Sequence, residues 1–170
     1  IGAGTAVEAD AERIEFRFAN QQDFHSLPHS SAFDCEALAE RNGILYIFTK
    51  DWKHEATTVY QLPKEEGEHA LQPVDSFQVK GLITGADFSP DKSKLALLGY
   101  SSFKPLVRLF SGISDENVFG NESTFIAMDS IAGAQTEGIC FLNNDTLLVS
   151  CESTNQFPEQ VFMIDLKNLK

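Results

Sequence analysis

The sequence lacks any long hydrophobic run. No apolar stretch approaches the roughly 20 residues that a membrane-crossing helix needs, so no helical membrane span is expected. Basic residues are few: 13 Lys and Arg stand against 25 Asp and Glu, for a formal net charge of -12. Nucleic acid is bound by clustered positive surface, so it is not expected as a partner. An acidic chain can instead hold a cation. Cysteine is scarce and odd in number, and Cys35, Cys140 and Cys151 sit in or beside expected strands, which reads as buried free thiols rather than a disulfide framework. The absence of a Gly-x-Ser-x-Gly elbow removes support for a serine esterase of the α/β-hydrolase type. With no initiator Met and no basic leader segment, the first residue reads as a processing site, a cloning boundary or the edge of a fragment.

What is present points to strands. There are 14 Phe, together with Val, Ile, Leu and Thr in short runs, in a chain that is 42% hydrophobic and 22% charged, a normal globular balance. Three segments superpose. The first runs from Asp34-Cys35-Glu36-Ala37-Leu38 through Asn42-Gly43 to Ile44–Phe48, the second from Thr84-Gly85-Ala86-Asp87-Phe88 through Pro90-Asp91 to Leu95–Leu98, and the third from Thr136-Glu137-Gly138-Ile139-Cys140 through Asn143-Asn144 to Leu147–Val149. Each is a strand, a polar turn and a second apolar strand, the pattern of a β-hairpin. Taking Glu36, Gly85 and Glu137 as equivalent, the spacings are 85-36=49 and 137-85=52, about one propeller blade.

Further strands are expected at 57–62 and 74–80, at 106–110 and 124–129, and at 160–166. Residues 13–18 alternate polar with apolar and read as an outer strand of a neighbouring or closing blade. The fold class is therefore all-β, with β-propeller blades of four antiparallel strands and about three blades, at 33–80, 82–130 and 134–168, in a single domain. Rings have about four to eight blades. Three blades are then either part of a larger ring, with six blades as the expectation, or half of one completed by a second copy. The stretches 20–32 and 64–73 are polar and turn-rich and read as connections.

In a blade, the start of the innermost strand lies beside the end of its partner. That gathers Asp34, Glu36, Lys50 and Asp51 in the first blade, Asp87, Tyr100 and Lys104 in the second, and Glu137 and Glu152 in the third, all at one channel mouth. Converging carboxylates repel unless a cation lies among them, and oxygen-rich sets suit Ca²⁺ at about 2.3 to 2.6 Å. Such a metal can bind phosphate oxygens and activate water, with Lys50 or Lys104 steadying the anion. The alternative is that the acids pair with Lys, Thr hydroxyls and backbone N–H groups and order the blade ends. Trp52 and Phe103 either rim the mouth, facing an apolar or sugar-like ligand, or pack between blades.

Gln135-Thr136-Glu137-Gly138-Ile139, followed by Leu147-Leu148-Val149-Ser150-Cys151-Glu152, resembles the blade signature of β-propeller phytases and their esterase-like bacterial relatives. Asp34–Leu38 with Leu45–Phe48 is similar to a second copy. The resemblance implies a six-bladed propeller, exported to the periplasm or the extracellular space. In the phytases it implies a calcium-dependent phosphomonoesterase site, carried over to Glu36, Glu137 and Glu152 only. Gly85 departs from the Glu of the other repeats, and the dense Asp pairs and many basic residues of a phytase mouth are not evident. The chain is thus expected to be an uncharacterised propeller that binds a small molecule or a protein at its mouth, with a Ca²⁺-dependent phosphoesterase as the alternative. Two other patterns read blandly. Gly2-Ala3-Gly4 has no preceding strand and is expected to be a terminus rather than a dinucleotide loop, and His25 and His29 are expected in a loop rather than on a metal-binding helix.

Overall fold

A computed structural model describes residues 9–22, 24, 27–155 and 157–169. The Gly2–Gly4 segment and His25 lie outside the described residues. No helix among the described residues is long and apolar enough to cross a membrane.

The architecture is all-β. Strands β1 (Ile14–Phe18), β2 (Asp34–Arg41), β3 (Ile44–Lys50), β4 (Thr57–Pro63), β5 (Gly67–Leu71) and β6 (Pro73–Phe77) precede β7 (Leu82–Phe88), β8 (Lys94–Ser101), β9 (Lys104–Ser111) and β10 (Glu122–Ala127). The last three are β11 (Gln135–Asn143), β12 (Thr146–Glu152) and β13 (Gln160–Asp165). Two sheets have four antiparallel strands, in the orders β2-β3-β4-β6 and β7-β8-β9-β10, and a third has three, β11-β12-β13. We call them blades 1, 2 and 3.

Local turn chemistry explains the hairpins. Asn42 and Gly43 form a two-residue turn between β2 and β3 with φ of 54° and 84°, the doubly positive pair whose twist matches a hairpin. Alternation then sorts the side chains onto two faces of each sheet. One face of blade 1 (Ala37, Tyr46, Phe48, Val59) packs on blade 2 (Ile83, Phe88, Leu95, Leu97, Phe110) in one buried cluster. The opposite face of blade 2 (Ala96, Leu98, Val107) packs on blade 3 (Leu147, Val149, Cys151) in another. The innermost strands β2, β7 and β11 lie side by side, which is how consecutive propeller blades stack.

Three expectations need correction. Residues 64–73 are not simply a connection, because they contain β5. That strand was hidden by its polar Gly-Glu-His sequence and by a partner some fifty residues away. Its partner is β1, expected as an outer strand of a neighbouring or closing blade but here paired in parallel with β5, from Ile14 opposite Gly67 to Phe18 opposite Leu71. Phe18 and Leu71 then pack with Ile47, Tyr60 and Leu62 over the outer face of blade 1. Finally, of the three thiols expected to be buried, only Cys151 is; Cys35 and Cys140 are exposed, and all three are free.

The register also revises the repeat. The pairing of each innermost strand slips by one residue near its start, at Glu36 in β2, Thr84 in β7 and Glu137 in β11. Such a bulge leaves one residue unpaired and re-aims its side chain. The structural counterpart of Glu36 and Glu137 is therefore Thr84, and Gly85 stands one place further on, beside Ala37 and Gly138. A Cβ on Gly85 would lie 3.2 Å from Ile139 Cγ2 and 3.3 Å from the Glu137 carbonyl oxygen. Close approach of β7 to β11 is what calls for glycine there.

Candidate functional site

The three bulges open onto one cavity of about 1000 Å³. Its lining includes Asp34, Glu36, Lys50 and Trp52 from blade 1, Thr84, Tyr100 and Phe103 from blade 2, and Gln135, Glu137 and Glu152 from blade 3, with His29 at the edge. The strand pairings place them as equivalents. Asp34 lies opposite Lys50, Leu82 opposite Tyr100, and Gln135 opposite Glu152.

Lys50 organises the blade 1 side. Its side chain is only 6% exposed, and its Nζ lies 2.7 Å from Glu36 Oε2. The same ammonium sits 4.7 Å from the Trp52 ring centre and 5.3 Å from that of Tyr100. A cation within about 6 Å of an aromatic face is attracted by the ring quadrupole, more strongly when water is excluded. Burial is the largest influence on the Lys50 ammonium and pulls its pKa down, but Glu36 and Tyr100 together outweigh it and hold the group above the usual lysine range. Trp52 is fixed from its other edge, where Nε1–H donates to Asp34 Oδ2 at 2.9 Å, and the His29 ring packs 4.4 Å from it.

Across the cavity, Gln135 Nε2 donates to Glu152 Oε2 at 3.1 Å. Burial, with the charges of Glu36 and Glu152 acting the same way, raises the Glu137 pKa above the usual carboxylate range, against the pull of the Gln135 hydrogen bond and of Lys50. Four carboxylates against a single Lys among the described lining residues leave a formal charge of -3, with His29 neutral.

Phe103 supplies an apolar edge. It is 81% exposed, and with Ser102 it forms the two-residue turn between β8 and β9, at φ of 50° for Ser102 and 62° for Phe103. This turn type favours Asn and Gly, and a left-handed conformation costs another L-residue about 1–2 kcal/mol. The Gly133 N–H donates to the Phe103 carbonyl at 2.8 Å and helps to hold the turn in place. Of the two uses considered for Trp52 and Phe103, both residues therefore rim the mouth.

Not every expected residue comes to this place. Asp34, Glu36, Lys50, Tyr100, Glu137 and Glu152 line the cavity. Asp51 does not: it is buried at the end of a turn, where it accepts from Lys53 N and His54 N and pairs with the His54 ring at 2.8 Å. Asp87 lies further along β7, opposite Ala96, and its carboxylate accepts the Phe141 N–H at 2.7 Å, a tie between blades 2 and 3. Lys104 is exposed and pairs with Asp129 at 3.5 Å. Sequence reasoning missed Thr84 and Gln135. Thr84 was hidden by the one-residue error in the repeat, and Gln135 is legible only as the residue opposite Glu152.

Glu36, Glu137 and Glu152, expected as a calcium set, all line this cavity. Among the described residues no group of three Asp, Glu, His or Cys side chains is placed to hold a metal ion. Lys50 already satisfies Glu36, and Gln135 engages Glu152. A lining of net negative charge with one buried Lys also gives a phosphate little to bind.

No protein-family model matches the chain, and no curated protein matches it. Among solved structures, it is similar to an uncharacterized protein, lmo1340, of Listeria monocytogenes EGD-e, with 14% identity and a TM-score of 0.45 over 79% of this chain and 41% of that one. It is also similar to Hsv2 of Kluyveromyces lactis, with 14% identity and a TM-score of 0.44 over 79% of this chain and 47% of that one. The chain thus spans less than half the length of these two proteins.

Proposed function

We propose that this chain is a ligand-binding module that captures its ligand in the cavity at the bulged ends of β2, β7 and β11. The observation that carries this reading is the cavity itself. Its volume suits a small ligand, its walls combine rings with polar groups, and side chains from all three blades converge on it. Phe103 adds weight, because its turn holds a bulky, exposed residue in a costly backbone conformation at the cavity edge, and strain of that kind collects at binding sites. The proposed work is recognition, with Lys50 held protonated against Glu36 between the Trp52 and Tyr100 rings.

A thermal-shift screen of small organic ligands against the whole chain tests the reading. A true ligand raises the melting temperature by preferential binding to the folded state, and both Phe103→Ser and Glu137→Gln reduce the rise. If every stabilising ligand keeps its full effect in both variants, the cavity is not the binding site.

A further inference from the structure

Resting on the reading of the cavity as a ligand site, we propose that its ligand is an organic cation, presenting a primary ammonium or guanidinium head on an apolar stem. The cavity already contains one such group. The Lys50 ammonium is almost withdrawn from water, yet a carboxylate at 2.7 Å and two aromatic rings at 4.7 and 5.3 Å provide for it. Those walls show what chemistry this space accepts: an ammonium between an acid and ring faces.

Lys50 makes its ion pair and ring contacts with the blade 1 side and Tyr100, and reaches Glu137 through its charge alone. The other side repeats the same ingredients, without a basic residue of its own among the described lining residues. Glu137 is half-buried on the β11 bulge, Glu152 stands opposite Gln135 on β12, and Phe103 offers a ring 81% exposed. All three line the same cavity as the caged lysine. An incoming cation would meet two carboxylates with charge-assisted hydrogen bonds, and its stem would cover Phe103. It would also relieve the repulsion among Glu36, Glu137 and Glu152. An anionic ligand would meet a formal charge of -3, and a neutral one would leave that repulsion in place.

The experiment uses four probes on one stem: n-butylammonium, n-butylguanidinium, n-butanol and n-butyrate, titrated into the whole chain and followed by NMR at the amides of Phe103, Glu137 and Glu152. The two cations are expected to give saturable shifts at these amides, and butyrate none. Losing a hydrogen bond to a charged group weakens binding by about tenfold, so Glu137→Gln and Glu152→Gln should each raise the cation Kd by that order. Glu152 is exposed, so its variant reports on binding even if Glu137→Gln lowers stability. Binding of butanol or butyrate as tight as that of the cations overturns the inference while leaving the cavity as a ligand site. Cation shifts unchanged in both variants, or no cation shift at all, overturn it as well.

Discussion

Val107 and Val161 hold the same place in consecutive blades, yet one is 0% exposed and the other 67%. The registers make them equivalent: Gly85 pairs with Leu98 and Leu98 with Val107, while Gly138 pairs with Ser150 and Ser150 with Val161. Val59 is the same position in blade 1 and is also 0% exposed. In blades 1 and 2 this face is covered by the next blade. On blade 3 it stands open, with Leu142, Val161 and Met163 exposed. The outer face of blade 1 differs again, since Phe18 and Leu71 of the β1-β5 layer cover Ile47 and Tyr60 there. Identical blade geometry therefore makes very different contributions to stability, according to what lies against it.

The comparison can be tested by substitution. The largest effect belongs to Phe110, fully buried and packed edge-on to Phe77 between blades 1 and 2. Phe110→Ala should cost about 3–5 kcal/mol in urea unfolding. Val107→Ala should cost about 2 kcal/mol, for two buried methyl groups and the space they leave. Val161→Ala should stay within about 0.5 kcal/mol in the same measurement. A large loss at Val161 would mean that its face is covered in solution.

The tie between blades 2 and 3 comes next. Asp87→Ala leaves the half-buried Phe141 N–H without its acceptor and should cost about 1–3 kcal/mol. Its counterpart in blade 1 is Ala39, so no such tie exists at that position between blades 1 and 2. The smallest effect is one of pH. Asp91, in the turn of blade 2, accepts from the Ser89 hydroxyl and from the Ser93 N–H and hydroxyl, and these bonds lower its pKa from 3.8 to about 2. A depressed carboxylate adds stability that is fully present above pH 3.8 and is lost as pH falls through about 2. NMR titration of the carboxyl carbon should give that midpoint, and Asp91→Asn should flatten the acid limb of the stability curve within that window.

Much of the fold was legible because its signals are local. Asn42-Gly43, Pro90-Asp91 and Asn143-Asn144 mark the turn regions of three hairpins, and alternation marks the strands between them. The site was legible in part. Asp34, Glu36, Lys50, Tyr100, Glu137 and Glu152 follow from the rule that a hairpin brings the start of one strand to the end of the other. Thr84 was misplaced because a bulge inserts a single residue, and one residue exchanges the two faces of a strand. Asp51, Asp87 and Lys104 were drawn into the mouth because charge and sequence proximity do not say whether a side chain ends in a turn, on a neighbouring blade or in water.

The sequence by itself determined three hairpin repeats and an acidic chain without a long apolar run, since turn residues, alternation and charge act over a few positions. Only the tertiary structure decided that β1 pairs with β5, that Lys50 is enclosed by Glu36, Trp52 and Tyr100, and that Phe103 stands at the edge of the same cavity. Those contacts join residues from separate strands, and their geometry depends on how the blades stack and where each register slips.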